Sequence, residues 1–248
     1  MKRILIASLI ALAAGTAFGQ TAAEILRKVD ENQAFQSIEY TGRMEIVLGG
    51  DTRVKTMRTW AVGDSKAFVE FTNPEDRGTR MLKLDKNLWM YFPKEQDTVK
   101  ISGHLLKEGM MGSDVSYEDA MESDALLDKY SASVLREEAV EGRPAWVLEL
   151  KAKVPTATYD RRLVWIDKER YVSLKGEMYA RSGKLLKESR SLEVRNIGGR
   201  WYPVRTEMVN RLRKDTRTVF VLEDLRLDTR IPDSRFGKIG RASCRERV

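Results

Sequence analysis

The chain has 248 residues, of which 42% are hydrophobic and 33% are charged. This length and apolar content suit one large domain with a substantial core, and the charged fraction excludes an integral membrane protein. The formal net charge is +7, but Lys2, Arg3 and residues 237–248 contribute most of it. Elsewhere basic and acidic residues alternate, as in residues 187–195, and this pattern predicts a solvated sheet face rather than a nucleic-acid groove.

The start of the chain has the pattern of a cleavable secretory signal. Lys2 and Arg3 precede an apolar and small run from Ile4 to Phe18, and small residues stand at the −3 and −1 positions before Gln20. The alternative is a membrane anchor, but this run of 15 residues is shorter than the roughly 20 needed to span a bilayer. We therefore predict a signal peptide over residues 1–19 and an exported, most simply periplasmic, mature protein.

The mature chain begins with a predicted helix and continues as strands. Thr21 and Glu24 have the spacing of a capping box, and an apolar stripe extends the helix to about Ala34. Apolar and polar residues then alternate from Ile38 to Leu48, as is typical of a half-buried strand. Similar segments follow at hairpin spacing, without βαβ units, and predict about eleven strands in one antiparallel sheet. Because a sheet of this size curls and the helices are few, we expect it to enclose a cavity.

The segment after Leu88 is the most informative for function. Its first strand, Leu88–Phe92, is apolar on both faces and ends at Pro93. A short strand follows, and then a loop bounded by Gly103 and Gly112. This loop carries four apolar side chains that need an apolar surface to cover: Leu105, Leu106, Met110 and Met111. The loop either packs on the protein's own core or forms a flap over a lipid-sized cavity, and we favour the flap.

A second helix is predicted after Ser116, which can act as its N-cap. Tyr117, Met121 and Ala125 recur at four-residue spacing and form one narrow apolar stripe. Near the start of this helix, three acids could hold a cation, although the charge preference of a helix N-terminus explains them more simply. These acids are Asp114, Glu118 and Asp119.

The remaining inventory gives no catalytic motif. His104 is the only histidine and Cys244 the only cysteine, so a Ser-His-Asp triad, a disulfide and a Cys/His metal site have no support. We predict no catalytic residue, no metal and no cofactor. The composition also changes after Phe236, and we place the folded domain at residues 20–236, followed by a non-native or disordered tail at residues 237–248.

Three stretches resemble the outer-membrane lipoprotein-sorting family related to LolA. They are WMYFP, ISG and GMMGSDVSYED within residues 89–119, the run YDRRLVWIDKERYVSLKGEMY at residues 159–179, and GRWYPVRTEM at residues 199–208. The resemblance extends over residues 21–236. The resemblance implies an unclosed antiparallel β-barrel with a helical lid over a hydrophobic cavity. The best-known members of the family carry the acyl chains of lipoproteins across the periplasm.

These features predict a carrier that sequesters acyl chains of lipoproteins or lipids for transfer toward the outer membrane, without covalent chemistry. The alternative is a lipid-sensing or transporter-associated module of the same fold that transfers nothing. The expected partners are the lipid and an inner-membrane lipid or lipoprotein transporter, with no nucleic acid, and the chain is expected to be a monomer. Because methionine and aromatic side chains suit adaptable apolar surfaces, the predicted lipid-binding residues are Met44, Trp60, Phe71, Trp89, Met90, Tyr91, Leu105, Leu106, Met110, Met111, Met121, Trp165 and Met178.

Overall fold

The computed structural model describes residues 19–122, 125–237 and 239. The predicted signal peptide, apart from Gly19, lies outside the described residues. The described residues form three α-helices, α1 (Ala22–Gln33), α2 (Tyr117–Met121) and α3 (Leu126–Lys129). The strands are β1 (Ser37–Leu48), β2 (Asp51–Val62), β3 (Lys66–Phe71), β4 (Arg80–Leu84), β5 (Asn87–Phe92), β6 (Asp97–Ile101), β7 (Tyr130–Val140), β8 (Arg143–Ala152), β9 (Arg161–Asp167), β10 (Ser173–Tyr179), β11 (Leu185–Ile197), β12 (Arg200–Asn210) and β13 (Thr216–Leu227).

All of these strands belong to one antiparallel sheet with the order β6-β5-β4-β3-β2-β1-β13-β12-β11-β10-β9-β8-β7. Two runs of hairpins, β1 to β6 and β7 to β13, are joined where β1 pairs with β13. The sheet is not closed, because β6 and β7 are its two edges. The predicted mainly β, unclosed architecture is confirmed, with thirteen strands rather than about eleven.

The N-terminal helix forms where its capping residues predict it. The Thr21 N–H donates to Glu24 Oε2 at 2.8 Å, and the Glu24 N–H donates to Thr21 Oγ1 at 3.2 Å. The helix ends at Gln33 because Ala34 takes an extended conformation. Its apolar residues Ile25 and Leu26 are fully buried against β7, β8 and β9.

The second helix is shorter than its apolar stripe predicts. Ser116 does cap it, but α2 ends at Met121, and Ala125 stands outside it as the residue before α3. The prediction that Tyr117, Met121 and Ala125 share one helix face is therefore wrong at its last member. The reason is that the chain turns at Glu122, whose backbone N–H bonds to the Asp119 carbonyl, so the helical spacing does not continue.

The two faces of the sheet are covered by different parts of the chain. Cross-strand partners in a sheet project to the same side, and neighbours along a strand project to opposite sides. We call the face covered by α1 and by residues 103–121 the lid face. The opposite face of β2 to β5 is covered by residues 231–237 and Ile239, where Phe236 and Ile239 pack on Phe68 and Leu82.

The folded domain is predicted to end at Phe236. Ile239 is only 1% exposed and its carbonyl accepts a hydrogen bond from Arg80, so contacts with the sheet continue past that residue. Residues 240–248 lie outside the described residues, and the predicted tail stays a prediction there. Among the described ranges, no helix has the length and apolar character needed to cross a bilayer.

Candidate functional site

Residues Gly103–Met121, which we call the lid, connect edge strand β6 to the second half of the chain. They form two 3-10 turns, Gly103–Lys107 and Met110–Gly112, followed by α2. The lid folds back on itself where Gly109 and Ser116 make an isolated β-bridge. A side chain at Gly109 would place its Cβ 2.1 Å from the Ser113 carbonyl oxygen, so this fold of the lid requires glycine there.

The lid covers an apolar surface rich in methionine, which we call the methionine cluster. Its buried sheet residues are Met44, Ile46, Met57, Val69, Phe71, Leu88, Met90 and Ile101. The lid contributes Met110, which is also buried, and the partly buried Leu105, Leu106, Met111, Tyr117 and Met121. Tyr117 also donates its hydroxyl to the Met90 sulfur at 2.9 Å. The loop of apolar residues predicted from the sequence therefore covers the lid face of strands β1 to β6.

The methionine cluster is closed in this structure. Met44 and Met90 have no exposed surface and Phe71 is 1% exposed. Three surface clefts, of about 310, 310 and 300 Å³, lie away from the methionine cluster, around Glu138 and Arg190, around Tyr40 and Arg226, and around Glu70 and Arg235. An acyl chain would therefore reach the methionine cluster only after the lid moves.

A buried ion pair fastens the lid to the sheet. Lys187, on β11, donates from its Nζ to Asp119 Oδ2 and, at 3.2 Å, to Ser116 Oγ. Tyr159 donates its hydroxyl to the other Asp119 oxygen. Burial disfavours the charged carboxylate, but the Lys187 ammonium and the hydrogen bonds from Ser116 and Tyr159 hold the pKa of Asp119 below its ordinary value. Asp119 is therefore ionised and bound at neutral pH.

A second carboxylate fixes the bend that precedes α2. Asp114 is 1% exposed and accepts hydrogen bonds from the Thr216 and Thr218 hydroxyls of β13 at 2.7 and 2.9 Å. Its backbone N–H donates to Thr218 Oγ1 at 2.9 Å, and Arg213 lies 3.9 Å from Asp114 Oδ1. Because neutral donors and this distant guanidinium hold both oxygens, Asp114 serves to attach the lid.

A third set of contacts holds the end of the lid. Arg162, on β9, donates to Glu122 Oε2 at 2.8 Å, and Lys129 lies 3.7 Å from Glu122 Oε1. Lys83, on β4, donates to the Met121 carbonyl at 3.2 Å. The lid is thus attached by polar contacts along its edges and by apolar contacts at its centre.

Solved structures with the same fold include three that span nearly the whole chain. A DUF1329 family protein from Desulfovibrio piger has a TM-score of 0.80 at 24% identity, covering 87% of this chain and 95% of its own. A domain described as outer membrane lipoprotein-sorting, from Vibrio parahaemolyticus, has a TM-score of 0.77 at 24% identity, with the same coverage. A LolA superfamily protein from Nitrosomonas europaea has a TM-score of 0.73 at 26% identity, covering 89% and 99%.

A family model described as "uncharacterized protein" matches residues 63–239, which is more than half of the chain. The chain belongs to this family, and its fold is LolA-like. The resemblance inferred from the sequence is confirmed. No curated protein matches the chain.

The LolA-like sheet separates the predicted lipid-binding residues into two groups. Eight belong to the methionine cluster or pack on it: Met44, Phe71, Met90, Leu105, Leu106, Met110, Met111 and Met121. Met178 also lies on the lid face, between Arg162 and Lys187 in the cross-strand register. The other four lie on the opposite face: Trp60, Trp89 and Tyr91 pack with the C-terminal segment, and Trp165 packs with Val147 and Val172.

The acidic cluster does not form a cation site in the LolA-like structure. Asp114 and Asp119 bind different strands, and no group of three metal-ligating side chains occurs among the described residues. The charge preference of a helix N-terminus explains only part of this cluster of acids, because Asp119 also binds Lys187. His104 is exposed in the first 3-10 turn of the lid.

The buried cationic side chains of the lid face could not be predicted from the sequence. Residues 187–195 predict a solvated strand face, but Lys187 is only 9% exposed and lies under the lid. Its partner Asp119 stands 68 positions earlier, and Arg162 stands 40 positions after Glu122. Separations of this size leave no local signal, so only the fold reveals these pairs.

Proposed function

We propose that the chain is a periplasmic carrier that sequesters the acyl chains of lipids or lipoproteins against the methionine cluster, for transfer toward the outer membrane. The observation that carries this proposal is the lid itself. It covers a surface of flexible apolar side chains, and it does so without pairing to the sheet as a strand. Such a cover can leave and return without breaking the sheet. The relatives described as LolA superfamily and outer membrane lipoprotein-sorting proteins also support a carrier function.

Binding would be reversible and driven by apolar contact. Each buried CH₂ of an acyl chain contributes about 0.8 kcal/mol, so one chain can replace the apolar contacts that the lid gives up. Methionine side chains adapt to varied apolar shapes, which suits a site that accepts different acyl chains. No step in this proposal forms or breaks a covalent bond.

The proposal also includes the partners of such a carrier. We expect a monomer that receives its cargo from a transporter at the inner membrane. Residues 1–19 would direct its export and then be cleaved. The alternative is a lipid-sensing or transporter-associated module that binds the same ligand and does not pass it on.

Native mass spectrometry of the full mature chain, followed by solvent extraction, tests the proposal directly. We expect a co-purified acyl lipid and saturable binding of a fluorescent fatty-acyl probe. Protein that carries no acyl lipid and binds no acyl probe would refute it. Passage of the bound probe to acceptor vesicles supports a carrier, whereas stable binding without passage supports the sensing module.

A further inference from the structure

Two cationic side chains stand in one row on the lid face. In the cross-strand register Arg162 of β9 pairs with Met178 of β10, which pairs with Lys187 of β11. Neighbouring strands lie about 4.8 Å apart, so the two cationic residues are separated by about 10 Å with Met178 between them. We call Arg162, Met178 and Lys187 the cation row.

The lid and the residue that follows it neutralise the two ends of the cation row. Asp119 of α2 binds Lys187, and Glu122, the residue after α2, binds Arg162. All four side chains are largely buried, with exposures of 11 to 14%. Arg162 Nε is also buried and lacks a hydrogen-bond partner within the described part of the chain, so the guanidinium retains capacity for another acceptor.

The same short helix touches the cation row and the methionine cluster. Tyr117 and Met121 of α2 pack on the methionine cluster, while Asp119, between them in sequence, binds Lys187. A helix rises 1.5 Å per residue, so these three side chains arise within about 6 Å along its axis. A molecule that displaced α2 would meet an apolar surface and a cationic surface side by side.

Displacing the lid has an electrostatic cost, and an uncharged ligand offers no partner for the cations that the lid leaves. Removing one partner of a buried ion pair leaves an uncompensated charge, which is strongly destabilising. We propose that the cation row receives the anionic headgroup, a phosphate or a carboxylate, of an amphiphilic acyl ligand, which takes the place of Asp119 and Glu122. This inference rests on the proposed function, because it requires the acyl chain to bind the methionine cluster.

The test compares two lipids with identical acyl chains, phosphatidylglycerol and neutral diacylglycerol, with inorganic phosphate alone as a third probe. We expect the full mature chain to bind phosphatidylglycerol at least about tenfold more tightly than diacylglycerol. Lys187→Gln and Arg162→Gln should each remove most of this preference, measured as the ratio of the two affinities within one variant, because loosening of the lid acts on both lipids alike. Lys175→Gln is the matched control, since Lys175 stands on β10 beside the row but pairs with Glu177 on the opposite face.

A variant that removes the lid carboxylate distinguishes headgroup pairing from loosening of the lid. Asp119→Asn frees Lys187 for the headgroup, so the affinity for phosphatidylglycerol should rise several-fold more than the affinity for diacylglycerol, whereas loosening alone would raise both equally. Lys187→Arg should fold and keep the preference, which preserves the test if Lys187→Gln does not fold. Thermal unfolding measured on each variant identifies the folded ones.

The outcomes separate this inference from the proposed function. Equal affinity for both lipids, or a preference that survives Lys187→Gln and Arg162→Gln, would overturn the headgroup site and leave the carrier standing. Inorganic phosphate that binds as tightly as phosphatidylglycerol would indicate a free-anion site and also overturn the inference. Failure to bind either lipid would refute the carrier itself.

Discussion

Lys187 on strand β11 and Asp119 on helix α2 form a buried ion pair that joins the lid to the sheet. Ser116 and Tyr159 add hydrogen bonds to the same carboxylate. A pair with this environment stabilises one position of the lid and leaves a charge unbalanced whenever the lid moves. The lid of this LolA-like chain is therefore held by a small number of polar contacts that single substitutions can test.

Breaking this ion pair should loosen the lid more than it unfolds the sheet. Lys187→Met leaves Asp119 without its cation, and losing one partner of a buried pair costs about 3–5 kcal/mol. We expect hydrogen exchange to rise sharply at residues 103–121 and to change little in β7 to β9. The double variant Lys187→Met with Asp119→Leu should recover part of the protection, because no buried charge remains.

Asp167→Asn provides the matched control for this prediction. Asp167 is another buried carboxylate, and it binds Arg143 and the backbone N–H groups of Glu169 and Arg170 at the turn between β9 and β10. Its loss should lower the stability of that turn and leave exchange in the lid unchanged. Equal loosening of the lid by both single variants would contradict the role of Lys187 and Asp119.

The lid should also respond to acid. Because the folded pKa of Asp119 is held below its ordinary value of 3.8, its contribution is fully present above that pH and is lost as the pH falls through the folded pKa. Protection of the lid amides in the wild type should therefore decline below about pH 4. In Asp119→Asn this decline should be smaller, and equal acid sensitivity in both proteins would argue against the assignment.

A charge introduced in the methionine cluster should impair ligand retention. Met110 is a lid residue that is 7% exposed and packs on the sheet residues of the methionine cluster. Met110→Asp buries a carboxylate in an apolar contact, so the acyl probe should dissociate at least about tenfold faster per folded molecule, equivalent to ~1.4 kcal/mol. Met111→Asp, in the neighbouring lid position, should act in the same direction.

Phe236→Asp is the control for Met110→Asp. Phe236 is 4% exposed and packs on the opposite face, so the change carries a similar folding penalty. It should lower the melting temperature without changing probe dissociation from the folded fraction. If Met110→Asp behaves in the same way, the lid is part of the core and does not retain ligand.

Gly109 should tolerate no side chain. In Gly109→Ala the new Cβ would stand 2.1 Å from the Ser113 carbonyl, so the lid must rearrange around the bridge to Ser116. We expect faster hydrogen exchange throughout the lid and weaker retention of the acyl probe. Unchanged exchange in Gly109→Ala would show that this bend of the lid is not needed for its closed position.

Much of the secondary structure follows from local pattern. The capping residues Thr21 and Ser116 predict the starts of α1 and α2, and strict alternation predicts long strands such as Ile38 to Leu48. Which side of the sheet a residue occupies was partly available as well. Trp89 and Met90 are neighbours in one strand, so they project to opposite faces, and both could not line one surface.

The attachment of the lid could not be predicted in this way. Lys187 lies in a strand whose alternating charges are typical of a solvated face, and the burial of its side chain depends on a helix contributed by a distant part of the chain. The same holds for the Thr216 and Thr218 hydroxyls that bind Asp114. Such contacts depend on the register between strands and on where the lid lies across them, and neither has a periodic signature.

The pairing of β1 with β13 has a consequence for how the molecule assembles. Every other ladder joins strands that are consecutive in sequence, whereas this one brings Ile38 beside Leu227. The two hairpin series can therefore form early from local contacts, and the joining of their innermost strands closes a very long loop, which is intrinsically slow. Until the last strand arrives, β1 and β12 both present unpaired backbone, which is a template for aggregation. A chain that ends before β13 should therefore leave the edges of β1 and β12 unpaired and aggregate.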